Sequence, residues 1–118
     1  NGLCIEARQQ QFIRLKQDRR CHAERALVFD EVDADVSFVE LVGWGQGFSG
    51  VAATHSRSDQ LDDLSRDPRN RGMKTTQLQA VRLQDLLDKY SLRHVHLLSV
   101  DTEGSELAVL KSINFTIT

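Results

Sequence analysis

Three acidic side chains lie within six residues and form the first candidate for a catalytic site. Asp101 and Glu103 follow directly on the mostly apolar run Val95–Val100, and Glu106 comes after Gly104. Such a run predicts a strand buried on both faces, and the glycine allows a tight turn into a helix. Because open α/β folds bind ligands beyond the carboxyl ends of their strands, we predict that these acids lie at a functional site.

Each of these acids also has an interpretation without chemistry. Glu106 would lie in the first turn of the following helix, where the helix dipole favours a negative charge. Glu103 is also consistent with a solvated residue of the turn. Asp101 is the strongest candidate, since an acid that directly ends an apolar strand is often functional in this architecture.

A fourth acid, Glu6, closes the short apolar strand predicted for Leu3–Ile5. A carboxylate at the tip of a second strand can accept hydrogen bonds from two vicinal ribose hydroxyls. Taken alone, Glu6 is better explained as a solvated side chain near the start of a helix. Its assignment to ribose binding depends on what the rest of the chain resembles.

The elements that would position these acids alternate between strands and helices. Apolar stripes predict helices, and short apolar or alternating runs predict strands. In chain order we predict strand Leu3–Ile5, helix Gln9–Arg20, strand Ala26–Phe29, strand Val36–Val42 as half of a hairpin, helix Leu83–Tyr90, the acidic strand, a helix from Leu107 and a strand from Ile113. This order predicts an α/β fold with a parallel sheet and right-handed crossovers.

Two polar stretches are predicted to lack regular structure. We predict one partial domain over residues 1–118. Within it, the stretch of about residues 51–76 is polar and mixed in charge, and is predicted to form a loop or insertion. The segment Gly45–Gly50 spells G-x-G-x-x-G. No amphipathic helix follows it, so we predict a flexible turn and reject a dinucleotide-binding fingerprint.

Composition excludes several classes of partner. A net charge of -2 gives no general attraction to nucleic acid or to an anionic membrane, and no apolar run approaches membrane-spanning length. Two cysteines do not make a disulfide framework, so Cys4 is predicted to be a buried thiol, and Cys21 has no neighbours at zinc-ligand spacing. A metal-dependent hydrolase built on the three clustered acids ranks last because it lacks a histidine at ligand spacing, and no metal site is predicted.

The segment Val100–Leu107, followed by Ile113–Phe115, resembles the FkbM family of S-adenosylmethionine-dependent methyltransferases. That family carries a strand that ends in Asp-x-Glu-Gly-x-Glu, then a helix and an apolar-Asp/Asn-Phe step. Gly2–Ala7 is similar to the family's second strand, and Leu83–Leu87 is similar to the helix before the acidic strand.

The resemblance implies a Rossmann-like class I methyltransferase fold, with a mostly parallel sheet flanked by helices. It implies S-adenosyl-L-methionine as the cofactor and the hydroxyl of a small molecule or glycan as the acceptor. Glu6 is then expected to bind the ribose hydroxyls, and Ala26 to lie near the adenine. Asp101 is expected near the methionine moiety or the acceptor. Glu103 is expected to act as a general base or an orienting acid, supported by Glu106.

The resemblance also implies that the chain is partial, without the family's first strand, its glycine-rich loop and its last strands. Such a fragment is expected to be inactive alone. The alternative is a non-catalytic FkbM-like domain that acts as a scaffold or in trafficking, and an intact glycine-rich loop in the full-length gene would favour the enzyme. The sequence leaves the oligomeric state and the compartment open, with the cytoplasm as the default.

Overall fold

The computed structural model describes residues 2–18, 20–31, 35–43, 49–55, 59–60, 66, 68 and 70–115. These residues form an α/β arrangement. Its elements, in chain order, are β1 Leu3–Glu6, α1 Gln9–Asp18, β2 His22–Arg25, β3 Leu27–Val28, β4 Asp35–Gly43, β5 Gly50–Val51, β6 Asn70–Val81, α2 Leu83–Lys89 and α3 Glu106–Lys111. No helix in these ranges has the length and apolar character that a membrane span requires.

The first three elements form a small β–α–β unit. β1 and β2 pair in parallel, with Leu3 opposite His22 and Glu6 opposite Arg25. This register brings the starts of the two strands together, and a disulfide joins Cys4 to Cys21. The prediction of a free, buried Cys4 thiol was therefore wrong. The bond depends on the pairing of β1 with β2, and the sequence analysis had predicted no strand at His22–Arg25.

The other strands form a four-stranded sheet in the order β3-β6-β4-β5. β3 pairs with β6 in parallel, while β4 pairs antiparallel with both β5 and β6. The described residues therefore hold one parallel pair of strands and one four-stranded sheet with mixed pairing, whereas the sequence analysis had predicted a single, mostly parallel sheet. The difference arises because β4 and β6 pair from Asp35 opposite Gln79 to Gly43 opposite Asn70, and this long ladder is antiparallel.

The core lies on both faces of β3. Leu27 and Phe29 belong to a cluster with side chains of β4, β5 and β6, whereas Val28 belongs to a second cluster with Leu83 of α2 and Val109 of α3. Successive residues of a strand point to opposite faces, so this short strand separates the two clusters. The strand predicted for Ala26–Phe29 is confirmed over Leu27–Val28, and both of these residues are buried.

Helices α2 and α3 are locked together at the start of α2. Buried Ser112, at the end of α3, accepts a hydrogen bond from the Leu83 backbone N–H at 3.0 Å through Oγ. Its carbonyl oxygen accepts a second bond from the Gln84 N–H at 3.2 Å. The first N–H groups of a helix have no partner within the helix, so Ser112 supplies the cap. This contact fixes α3, and with it the acidic turn that precedes α3.

The largest difference from the sequence prediction concerns Val95–Val100. This segment is not a strand, and its side chains are mostly exposed, with Leu97 86% and Val95 51% accessible. A strand buried on both faces needs a neighbouring strand, and the segment has no place in either sheet of the described chain. The prediction of a buried strand at Val95–Val100 was therefore wrong, because it relied on apolar content and the segment has no neighbouring strand in the described chain.

The predictions from local periodicity agree better with the structure. Helix α1, strand β4 and helix α2 lie where the sequence placed them. The polar loop or insertion predicted for about residues 51–76 does not extend to residue 76, because β6 begins at Asn70 and pairs with β4. Much of the remaining stretch lies outside the described residues. The predicted turn at Gly45–Gly50 lies mainly outside the described residues. Of the strand predicted from Ile113, residues 113–115 are described and do not form a strand. In α3 the buried residues are Ala108 and Val109, while Leu107 is 63% exposed.

Candidate functional site

A cleft of about 640 Å³ lies between the region of β1 to β3 and the segment that precedes α3. One side, here named the Glu6 wall, consists of residues 2, 3, 5–8 and 26–28, and the other, named the Asp101 wall, consists of residues 94–103 and 105. Its lining also includes the apolar side chains Val51, Leu83 and Val109. A volume of this size, with apolar lining and a few polar groups, is typical of small-molecule sites.

The structure brings together four of the five residues that the sequence singled out. Glu6 and Ala26 lie on the Glu6 wall, and Asp101 and Glu103 lie on the Asp101 wall. Segments that are far apart in the sequence thus meet around one cavity. Glu106 has a different place, because its carboxylate binds the backbone of the turn beside the cleft.

The Glu6 carboxylate is held by Arg8, two residues further along the chain. Arg8 donates its backbone N–H and its Nε–H to Oε1 of Glu6, and its Nη2–H to Oε2, each at 2.9 Å. Burial raises the pKa of Glu6, but the hydrogen bonds and positive charge of Arg8 outweigh it, so the net pKa lies below 4.5. The carboxylate is therefore ionised at neutral pH and acts only as an acceptor.

Ala26 follows the ladder that supports Glu6. Its backbone N–H donates to the Glu6 carbonyl oxygen at 3.2 Å, directly after Arg25, which pairs with Glu6. The Arg25 Nε donates to the Ala7 carbonyl oxygen at 3.3 Å. These bonds fix the small Ala26 side chain beside the Glu6 strand end, where a flat ring could approach the wall closely.

The Glu6 wall is also tied to helix α2 through Glu24 of β2. Glu24 accepts a hydrogen bond from Lys89 Nζ at 2.9 Å and another from the Tyr90 hydroxyl. The Tyr90 hydrogen bond, followed by that of Lys89, lowers the pKa of Glu24. His22 stacks on the Tyr90 ring with centroids 4.7 Å apart. The β–α–β unit is thereby joined to the rest of the molecule at its second strand.

The Asp101 wall ends in a strained turn. Asp101 is exposed, and the half-buried Glu103 has φ of 53°, in the left-handed region that side chains other than glycine rarely adopt. Gly104 follows with φ of 116°, which glycine adopts without steric cost. The sequence prediction of a tight turn at Gly104 is thus confirmed. Strain of this kind persists only where the surroundings hold it, and it often marks functional positions.

Glu106 supplies part of that support. Its Oε1 accepts a hydrogen bond from the Thr102 N–H at 3.2 Å, and its Oε2 accepts one from the Gly104 N–H at 3.0 Å. Backbone N–H groups, first that of Glu106 itself and then those of Thr102 and Gly104, outweigh desolvation and hold the pKa of Glu106 below 4.5. With both oxygens engaged, this carboxylate is placed to hold the turn.

Strand β5 packs closely against the same turn. A Cβ placed on Gly50 would lie 3.1 Å from the Thr102 carbonyl oxygen and 3.2 Å from both Glu103 Cβ and His55 Cδ2. Only glycine allows this approach without movement of the backbone. His55 is buried, at 4% exposure, and borders the position of Glu103. The four-stranded sheet therefore supports the acidic turn from one side.

Sequence reasoning missed two residues at this site. Arg8 showed no signal beyond a basic residue two positions after a strand-ending acid, a spacing that suits a bond across a tight turn. His55 carried no sequence signal that placed it near residue 103. Among the described residues, no group of three histidine, cysteine or acidic side chains is arranged to hold a metal ion.

Comparison with known proteins gives one match. The family profile of the methyltransferase FkbM domain matches residues 5–118, which is most of the chain. No curated protein and no solved structure matches the chain.

Proposed function

Because this chain belongs to the methyltransferase FkbM domain family, we propose that it transfers a methyl group from S-adenosylmethionine to a hydroxyl oxygen of an acceptor. The observation that carries the proposal is the single cleft lined by Glu6, Ala26, Asp101 and Glu103. The parallel pairs β1–β2 and β3–β6 would belong to a Rossmann-like class I sheet, whose ligands bind beyond the carboxyl ends of the strands.

The Glu6 wall fits the nucleoside part of S-adenosylmethionine. The Glu6 carboxylate is ionised and lies at a strand end in the cleft, so it can accept a ribose hydroxyl. Ala26 and the apolar side chains nearby offer a flat, uncharged surface of the kind that adenine requires. The donor and acceptor chemistry of this wall therefore matches the cofactor that the family generally uses.

The Asp101 wall would bind the reacting end. The bound cofactor supplies an electrophilic methyl group on a sulfonium sulfur. Asp101 and Glu103 line the cleft. They would orient the acceptor hydroxyl, and Glu103 is the proposed base that takes its proton. Holding the hydroxyl in line at near-attack distance supplies much of the rate enhancement in a displacement of this type. The acceptor is proposed to be a small molecule or glycan that carries a hydroxyl.

The proposal is tested by calorimetric titration of the full-length protein with S-adenosylhomocysteine, beside a Glu6→Ala variant. We expect micromolar binding that weakens by about tenfold or more in the variant, since a lost charged hydrogen bond costs roughly 1.5–3 kcal/mol. Asp85→Ala is the matched control, because Asp85 is also a carboxylate paired with an arginine but lies outside the cleft. Full-length wild-type protein that fails to bind would overturn the proposal and favour the non-catalytic alternative.

A further inference from the structure

The contact between Arg8 and Glu6 restricts what the Glu6 carboxylate can bind. A carboxylate has about four lone-pair positions for hydrogen bonds, two on each oxygen. Arg8 fills two positions on Oε1, through its backbone N–H and Nε–H, and one on Oε2, through Nη2–H. Arg8 therefore occupies all the positions of Oε1 and half of those of Oε2.

Two vicinal ribose hydroxyls would need two acceptor positions on the same carboxylate. While Arg8 stays in place, Glu6 has room for at most one of them, on Oε2, and the Ala7 backbone N–H also interacts with this carboxylate. The side chains of Arg8 and Glu6 are only 19% and 22% exposed, so water screens their interaction weakly. Two charge-assisted bonds in a fork with backbone support are difficult to displace by a neutral hydroxyl.

A second arginine fork in the chain provides the comparison. Arg82 donates through Nε and Nη2 to the two oxygens of Asp85, with the same atoms as Arg8, but these side chains are 51% and 45% exposed. That pair stands at the start of α2 and outside the cleft. Arg8 differs because it is half-buried and lines the cleft itself.

We propose that Arg8 is a positioning residue, which fixes the Glu6 carboxylate and limits it to one of the two ribose hydroxyls of the nucleoside ligand. The inference rests on the proposed function, since it assigns how the same site recognises the ribose. It makes recognition asymmetric: one hydroxyl binds Glu6 through Oε2, and the other makes no hydrogen bond with Glu6.

The test uses three probes, S-adenosylhomocysteine and its 2′-deoxy and 3′-deoxy analogues, in calorimetric titrations. In the wild-type protein we expect one deoxy analogue to bind about tenfold more weakly and the other to lose less than about twofold. In Glu6→Ala this difference between the analogues disappears. In Arg8→Ala both analogues lose affinity to a similar extent, because the released carboxylate can accept both hydroxyls.

Two further variants separate positioning from charge and from general packing. Arg8→Lys keeps the positive charge but cannot form the fork, so it should show the symmetric pattern of Arg8→Ala. Arg82→Ala removes the exposed fork and should keep the wild-type asymmetry. The ratio between the two deoxy analogues is compared within one variant, so a general loss of stability does not change it.

The outcomes distinguish this inference from the proposed function. Wild-type binding that depends on Glu6 but is weakened equally by the loss of either hydroxyl would overturn the role of Arg8 alone. If Arg8→Ala kept the wild-type difference between the two deoxy analogues, the role of Arg8 would be overturned as well. A wild-type protein that does not bind S-adenosylhomocysteine overturns the proposed function, and the inference with it.

Discussion

The two walls of the cleft carry similar chemistry on very different supports. The Glu6 wall rests on a strand that pairs along its whole length with β2, a disulfide at its start and an arginine fork at its end. The Asp101 wall is a largely exposed, irregular segment. Val100 packs against the core, and Glu106 and the close approach of Gly50 support the acidic turn that follows.

The difference indicates that strand pairing, and not apolar content, decides whether a short apolar run is covered. Leu3–Glu6 and Val95–Val100 are both short apolar runs that end at an acid. Only the first has a neighbour in a sheet of the described chain. For the chemistry proposed here, the contrast suits a nucleoside bound by the paired Glu6 wall and an acceptor oriented by the more exposed Asp101 wall.

The largest expected effect concerns the disulfide of the Glu6 wall. Replacing Cys4 and Cys21 together by serine opens a link between residues 17 positions apart, and a loop of this length is worth about 3 kcal/mol in the chain-entropy model. We expect the free energy of unfolding in urea to fall by about that amount. Hydrogen exchange should speed up most at the amides of β1 and β2.

Reduction of the wild-type protein provides the control for this comparison. Dithiothreitol should lower wild-type stability to the level of the double variant and leave the variant unchanged. Equal stability of the oxidised wild type and the variant would show that pairing with β2 supports this wall without the covalent link.

A smaller effect is expected at the turn of the Asp101 wall. Glu106→Ala removes the acceptor of the Thr102 and Gly104 N–H groups, and loss of a comparable cap costs about 0.5–2 kcal/mol. The stability of Glu106→Gln should lie between those of Glu106→Ala and the wild type, because the amide oxygen can still accept one hydrogen bond. Both are measured by urea unfolding at pH 7.

The pH dependence of the same variants gives the sign of the effect. The folded-state pKa of Glu106 is depressed below 4.5, so its contribution to stability is present above that value and is lost as pH falls through the folded pKa. The stability difference between the wild type and Glu106→Ala should therefore shrink as the solution is acidified below pH 4.5. A difference that stays constant down to low pH would mean that the charge of Glu106 does not hold the turn.

Local patterns predicted much of the fold and of the candidate site. Helices α1 and α2 follow from apolar side chains at helical spacing. Four of the five proposed site residues line one cleft. The acids among these four were found because each follows a short apolar run in the sequence. Their shared position follows from the order in which strands assemble, which the resemblance to a family supplied.

Features that depend on strand register could not be predicted locally. The disulfide requires that Cys4 and Cys21 stand at neighbouring strand starts, which is known only once β2 is placed. The fork of Arg8 requires the chain to turn back directly after Glu6. Val95–Val100 is exposed because no strand of the described chain pairs with it. The residues of the run do not reveal whether such a partner is present.

The smallest expected effect tests the Asp101 wall where it is most exposed. Leu97 is 86% accessible, so Leu97→Asn should change the free energy of unfolding by less than about 0.5 kcal/mol. Leu83, at 3% accessibility, is the matched leucine, and Leu83→Ala should cost about 2–5 kcal/mol. A loss of 2 kcal/mol or more in Leu97→Asn would mean that residues 95–100 pack as a buried strand in solution. The two walls would then be equally supported, and the openness assigned to the acceptor side would have to come from the acidic turn alone.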